Sequence, residues 1–82
     1  MTKIRTIIVD DELLARKRVS NLLNDIKEIE LIKECSSGKE AIDIITDQKP
    51  DLIFLDIQLT DMTGFDILKQ IDPSIRPLVI FI

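Results

Sequence analysis

The sequence contains no histidine, no tryptophan and no tyrosine, and it has one cysteine and two glycines. Without histidine the chain cannot build a Ser-His-Asp or Cys-His catalytic group. Gly38 and Gly64 are too few for a Walker A loop or a GxGxxG turn. A single cysteine excludes an internal disulfide and a zinc site made of cysteines. Enzyme classes that depend on these groups or loops are therefore disfavoured.

The composition is typical of one small globular domain. The chain has 82 residues, of which 45% are hydrophobic and 32% are charged. Its net charge of −4 disfavours non-specific binding to nucleic acid by this chain. The first residues lead straight into a short predicted strand, and no apolar stretch has the length of a signal peptide or a membrane span. We therefore expect a cytoplasmic protein that does not contact a membrane.

Two hydrophobic runs in the sequence end in acidic residues. Positions 7–11 read IIVDD and positions 51–56 read DLIFLD, so Asp10, Asp11 and Asp56 each follow a predicted buried strand. A simpler explanation exists for the first pair, because acidic residues suit the positive end of a helix dipole. However, clustered carboxylates repel one another unless a cation compensates their charge. The trio therefore favours a divalent-metal site in which one aspartate accepts a phosphoryl group.

Strands and helices are predicted to alternate along the chain. Strands are expected at residues 4–9 and 28–35, in the run that ends at Asp56, and at residues 78–82. Ser37 with Glu40 predicts a capping box for a second helix that ends near residue 46, and Thr63 is a candidate cap for a third. The first helix should present one apolar face made of Ala15, Val19, Leu22, Leu23 and Ile26, and the second should bury Ala41, Ile42 and Ile45. The apolar residues of the third helix are Phe65, Leu68 and Ile71.

This βαβαβαβ order predicts an α/β fold with a parallel sheet and right-handed crossovers. In a flavodoxin-like sheet of strand order 2-1-3-4, the order reverses between the first and third strands. Ligands of such sheets bind at this reversal, outside the carboxyl ends of the strands. Asp10, Asp11 and Asp56 are predicted to lie there.

Taken together, these motifs resemble the CheY-like receiver domain of two-component response regulators. The residues that carry the resemblance are positions 8–12 (IVDDE), Asp56 at the end of the third strand, and Gly64 in the following loop. Positions 9–16 (VDDELLAR) and 55–59 (LDIQL) are similar to receivers that precede LytTR-type (LytR/AgrA) DNA-binding domains. The resemblance covers essentially the whole chain, residues 1–82.

The resemblance implies a signalling domain and not an enzyme with a separate substrate. Asp56 would accept a phosphoryl group from a phosphohistidine of a sensor histidine kinase. Asp11 would bind Mg²⁺ directly and Asp10 largely through water. Asp56 and the backbone carbonyl of Gln58 would complete the protein ligands. The phosphorylated receiver would then control transcription through a DNA-binding domain outside this chain.

The chain departs from the family pattern in two respects. The family usually has proline where Thr60 stands, and we treat Thr60 and Asp61 as ordinary loop residues. Beyond Ile82 the family has a switch Ser or Thr after the fourth strand, then a fourth helix, a fifth strand and a fifth helix. The fifth strand of the family ends in a Lys that pairs with the phosphoryl group. We therefore expect residues 1–82 to be the amino-terminal portion of a receiver. The apolar run 78–82 should need a strand on either side, so we also expect a homodimer through its free edge or by exchange of elements.

Two alternative functions stay open at this point. The first is a receiver-like interaction module that takes no phosphate and signals by binding alone. The second is an aspartyl-phosphate hydrolase, which is disfavoured because it would normally show an Asp-x-Asp pair, whereas positions 56–58 read DIQ.

Overall fold

The computed structural model describes residues 2–82 and shows strands and helices in alternation. The strands are β1 (Ile4–Val9), β2 (Ile29–Cys35), β3 (Leu52–Leu55) and β4 (Leu78–Phe81). The helices are α1 (Leu13–Asn24), α2 (Gly38–Gln48) and α3 (Gly64–Gln70), and a short 3₁₀ turn (Pro73–Ile75) precedes β4. Within residues 2–82, none of these helices is long and apolar enough to cross a membrane. The predicted βαβαβαβ order is confirmed.

The four strands form one parallel sheet in the order β2-β1-β3-β4, as predicted. In the register, Val9 at the end of β1 lies opposite Cys35 on one side and Leu55 on the other. The backbone N–H of Asp10 donates to the carbonyl of Cys35 (3.1 Å), and that of Asp56 donates to the carbonyl of Val9 (2.9 Å). Asp10 and Asp56 therefore leave neighbouring strands at the same edge of the sheet.

Helices cover both faces of the sheet. The β1–α1–β2 and β2–α2–β3 connections run in opposite directions across the sheet, so right-handed crossovers place α1 and α2 on opposite faces. The main core lies on the side of α2 and α3. Its buried members are Ile7, Val9, Cys35, Ala41, Ile45, Ile53, Leu55, Leu59, Ile67 and Ile71. Ile8 alternates with Ile7 and Val9, so its buried side chain lies on the side of α1.

The buried face of α1 is narrower than its sequence predicts. Leu23 is buried, and Ala15 and Val19 are half-buried. In contrast, 70% of Leu22 and 42% of Ile26 are exposed, so their predicted burial is wrong. Leu22 lies about 100° around the helix from Leu23 and points away from the sheet. Ile26 lies beyond the helix, two residues after Asn24.

Among the apolar residues of α3, Phe65 does not face the core, whereas Ile67, which the sequence prediction omits, does. Ile67 is completely buried, whereas Phe65 is 51% exposed and its ring lies 5.2 Å from that of Phe81, between ring centroids. The cap at Thr63 is confirmed as a full capping box with Asp66. At α2 only half of the predicted box forms, because the Glu40 carboxylate accepts from the N–H of Ser36 and not from that of Ser37.

The fourth strand lies at the edge of the sheet. Within residues 2–82, β4 pairs with β3 on one side only, so the predicted free edge of this strand is present. Leu78 is 76% exposed and Ile80 is 46% exposed, while Val79 is half-buried against the core. An apolar strand edge with free backbone groups is a surface on which another strand can pair.

Candidate functional site

The three aspartates predicted to form a site lie together in the structure. Asp10 and Asp11 follow β1, and Asp56 follows β3, which is the neighbour of β1 in the sheet. One carboxylate oxygen from each residue lies within 4.8 Å of the other two. Asp10 is buried, with 6% of its surface exposed. The strand register therefore creates a compact group of acidic side chains at the predicted edge.

Each of the three carboxylates is held through one oxygen. The N–H of Glu12 donates to Oδ1 of Asp10 (2.9 Å), and the N–H of Gln58 donates to Oδ1 of Asp56 (3.2 Å). Oδ2 of Asp11 accepts from the hydroxyl of Thr60 (2.7 Å). Among residues 2–82 the second oxygen of each carboxylate accepts no hydrogen bond. The side chains are thus oriented while one oxygen of each stays available to a ligand.

No basic side chain among residues 2–82 forms an ion pair with these three carboxylates. The guanidinium of Arg16 is close, but it donates to the main-chain carbonyl of Asp10 (2.8 Å) and pairs with Glu34 (3.6 Å). The negative charge of the cluster is therefore not balanced by the protein. A set of carboxylate oxygens is the donor set that hard cations such as Mg²⁺ and Ca²⁺ prefer. The residues present fit a divalent cation.

Gln58 lies on the loop that follows β3, two residues beyond Asp56. It forms an isolated antiparallel bridge with Thr63, so the loop folds back on itself here. In the described part of the chain, the backbone carbonyl of Gln58 accepts no hydrogen bond. This carbonyl stays a predicted metal ligand.

Comparison with known proteins agrees with this geometry. Residues 6–82 match the family model described as the response regulator receiver domain. The chain belongs to this family. It is 40% identical over 79 residues to an uncharacterized response regulatory protein of Shewanella oneidensis and, over the same length, to the transcriptional regulatory protein BtsR of Salmonella typhi. Each of these alignments covers 96% of the chain.

Solved receiver domains have the same fold. The response regulator domain of CheB from Thermotoga maritima superposes with a TM-score of 0.86 at 28% identity, over 96% of this chain and 59% of that one. The signal receiver domain of NarL from Mycobacterium tuberculosis gives 0.89 at 24% identity, over 99% of this chain and 66% of that one. The receiver chain spans only 34% of the Shewanella relative and 33% of BtsR.

Two residues of this receiver that the sequence predicts to be ordinary loop residues make specific contacts. Thr60 binds Asp11, as described above. The carboxylate of Asp61 accepts from the N–H groups of Gly38 (2.9 Å) and Lys39 (3.0 Å) at the start of α2. These bonds, the one from Gly38 foremost, lower the pKa of Asp61. The departure from the family's usual proline could have marked Thr60 as a residue with a specific contact. No local pattern could have marked Asp61, because its hydrogen-bond partners lie 22 and 23 residues earlier in the chain.

Gly64 brings α3 against the end of β3. A Cβ atom at this position would lie 2.8 Å from the backbone oxygen of Asp56 and 3.1 Å from Cγ of Leu55. The N–H of Gly64 donates to the carbonyl of Ile57 (2.6 Å). Gly64 has no positive φ, so close approach, and not turn conformation, explains the glycine. The sequence predicted a position that disfavours a side chain, and the structure supplies the reason.

Proposed function

We propose that this receiver domain accepts a phosphoryl group on Asp56. In this proposal Asp10, Asp11, Asp56 and the carbonyl of Gln58 hold a Mg²⁺ ion. The observation that carries the proposal is the group of three carboxylates without a basic partner, each with one oxygen free of hydrogen bonds among the described residues. Such a group costs free energy unless a cation binds it, so its presence at the ligand-binding edge favours a metal-dependent role.

The free oxygen of Asp56 is the nucleophile in this proposal. It attacks the phosphorus of a phosphohistidine while the P–N bond breaks and the imidazole nitrogen keeps the electron pair. The N–H of Gln58 restricts rotation of the Asp56 carboxylate, so the attacking oxygen is already oriented. The ion, when bound, neutralises charge on the transferring group. Asp10 and Asp11 act only through the ion.

We also propose that residues 1–82 are the amino-terminal portion of a receiver in a longer transcriptional regulator. The support is that the chain covers 59% of the CheB receiver and 33% of BtsR, which is named a transcriptional regulatory protein. DNA binding would then belong to a separate domain. We propose the LytTR type, because positions 9–16 are similar to receivers that precede such domains. A cytoplasmic location is part of this proposal.

The phosphoacceptor proposal is tested by intact mass after incubation with acetyl phosphate and Mg²⁺. We expect a phosphoryl adduct on the wild type that is lost in Asp56→Asn. Asp43→Asn is the matched control, because Asp43 is exposed on α2 and its side chain makes no hydrogen bond within residues 2–82. The longer protein is measured in parallel, since an adduct on it alone would mean that the three aspartates need residues beyond position 82. No adduct on either would refute the proposal and favour the interaction module.

A sensor histidine kinase is the proposed phosphoryl donor, and α1 offers a surface for it. Leu14 is 68% exposed and Leu22 is 70% exposed. They stand eight residues apart on one helical face with Arg18 between them, and α1 begins beside Asp10 and Asp11. A helical partner that packs on this face would lie next to the acidic cluster.

This docking surface is tested with Leu14→Ala/Leu22→Ala and a panel of autophosphorylated kinase cores. With the kinase that transfers fastest to the wild-type receiver, we expect transfer to the double variant to be at least about tenfold slower, because two apolar anchors are lost. Phosphorylation by acetyl phosphate should be unchanged, since that small donor needs no docking surface. Equal transfer from the kinase to both proteins would contradict the assignment of α1.

A homodimer through the free edge of β4 is the remaining proposal for partners. Alternate amide and carbonyl groups of an edge strand point away from its neighbour, and the side chains of Leu78 and Ile80 are exposed beside them. Sedimentation over a range of concentrations should show a dimer that Ile80→Lys disrupts. A wild-type monomer at the highest concentration would refute this proposal.

A further inference from the structure

The three aspartates are not oriented in the same way. Asp10 and Asp56 each accept a hydrogen bond from the backbone N–H two residues ahead, at Glu12 and Gln58. These bonds are local, and any sequence that folds this way has the donors. Within residues 2–82, Asp11 has no such local bond. Its only hydrogen-bond partner there is the hydroxyl of Thr60, which is 49 residues away in the sequence.

The loop that carries Thr60 is fixed on both sides of this residue. Leu59 is buried in the main core, and its N–H donates to the carbonyl of Met62 (3.0 Å). On the other side, the carboxylate of Asp61 accepts two backbone hydrogen bonds from the start of α2. The hydroxyl of Thr60 is therefore presented from an anchored backbone, which reduces the conformational entropy lost when its bond to Asp11 forms.

From this arrangement we infer that Thr60 is a positioning residue for the metal site, through its hydrogen bond to Asp11. The inference rests on the proposed function, in which Asp11 is a metal ligand. The hydroxyl holds Oδ2 of Asp11 and leaves Oδ1 free, so the carboxylate is oriented before a cation arrives. A carboxylate ligand that is itself hydrogen-bonded keeps its rotamer, and loss of such a partner weakens metal binding.

A hydrogen bond to Asp11 also has an opposing effect, because it withdraws some negative charge from the carboxylate. We expect orientation to prevail, since a neutral hydroxyl withdraws only a small part of the charge of the Asp11 carboxylate. Residues that hold a metal ligand by hydrogen bonding typically change affinity by about 10- to 100-fold. The Thr60–Asp11 bond is solvent-exposed, so we expect an effect of about 3- to 10-fold, below that range.

The experiment is isothermal titration of the chain with Mg²⁺ alone, without any phosphoryl donor. Thr60→Val keeps the shape of the side chain and removes the hydroxyl, and we expect it to bind Mg²⁺ about 3- to 10-fold more weakly. Thr60→Ser keeps the hydroxyl and should bind within about twofold of the wild type. Thr46→Val is the matched control, because Thr46 is exposed on α2 and its side chain makes no hydrogen bond within residues 2–82.

The outcomes separate this inference from the proposed function. If Asp11→Asn abolishes Mg²⁺ binding but Thr60→Val binds as well as or better than the wild type, the positioning role is wrong and the proposed function stands. Equal weakening in Thr60→Ser and Thr60→Val would also overturn it, because the hydroxyl would not be the cause. If the wild type binds no Mg²⁺, or Asp11→Asn binds it unchanged, the proposed metal site fails and the role of Thr60 falls with it. Circular dichroism of the metal-free variants checks that each one is folded.

Discussion

Replacing Gly64 by alanine tests how closely α3 is held against the end of β3. Gly64 is the first residue of α3, and an added Cβ would lie 2.8 Å from the backbone oxygen of Asp56. Real Cβ atoms almost never approach another heavy atom this closely, and a backbone oxygen cannot rotate away. Either α3 or the end of β3 must shift.

The expected cost combines two opposing terms. Alanine restricts the unfolded chain more than glycine does, which would stabilise the fold by about 0.4–1 kcal/mol. Overpacking against a rigid neighbour costs about 1–3 kcal/mol, and the short bond from the Gly64 N–H to Ile57 contributes about 1 kcal/mol more if it is lost. We expect a net destabilisation of about 2 kcal/mol. For a domain of this size that lowers the midpoint of thermal unfolding by roughly 8–16 °C.

The assay is thermal and urea unfolding followed by circular dichroism, since the chain has no tryptophan or tyrosine. Gly38→Ala is the matched control. Gly38 is likewise buried and the first residue of its helix, but the atoms its Cβ would meet first belong to the flexible side chain of Met62. Because Met62 is only half-buried and can turn aside, we expect a loss below about 1 kcal/mol.

The same variant has a consequence at the site. The carbonyl displaced in Gly64→Ala is that of Asp56, so under the proposed function acceptance of a phosphoryl group should slow along with the loss of stability. If Gly64→Ala were as stable as the wild type and no less stable than Gly38→Ala, the close approach of α3 would not constrain this glycine. The packing explanation for Gly64 would then be refuted.

Three further predictions concern α2 and the buried thiol. Lys49 ends α2 with φ of 49°, a conformation that favours glycine, so Lys49→Gly should raise the free energy of unfolding by about 0.5–1 kcal/mol in urea titrations. Asp61 has a lowered pKa because its carboxylate accepts hydrogen bonds from the N–H groups of Gly38 and Lys39. Its contribution to the free energy of unfolding is therefore present above the unfolded pKa and is lost as the pH falls through the folded pKa. The difference in stability between the wild type and Asp61→Asn should narrow in urea titrations below about pH 4. Burial raises the pKa of Cys35 to about 12. Alkylation of this thiol by iodoacetamide should be at least about 1,000-fold slower in the folded protein than in denaturant. Equal rates would contradict its burial.

Local sequence patterns were sufficient for the architecture. The alternation of short apolar runs with helical segments predicted a parallel sheet, and right-handed crossovers limit how such a chain can be arranged. The acids at the ends of the first and third strands indicated the site for the same reason, since parallel strands bring their carboxyl ends to one edge. Thr63 was identified as a cap because the residues of a capping box lie within four positions of each other.

Burial on the helices could be predicted only in part. The periodicity of α1 identifies an apolar stripe, but the rotation of the helix on the sheet decides whether Leu22 or Leu23 faces inward. The helix has more apolar residues than the sheet can cover, so Leu14 and Leu22 stay exposed. The same holds for α3, where Ile67 is buried and Phe65 instead contacts Phe81.

The fold class and the three acidic residues could be predicted from the order of residues, because each depends on hydrophobic period and on where a strand ends. The contacts of the loop after β3 could not be predicted in this way. Thr60 and Asp61 find their partners at Asp11 and at the start of α2, which are distant in the chain and meet only when the sheet has formed. Hydrogen bonds between loops follow from the positions of folded elements, and no local pattern of residues encodes them.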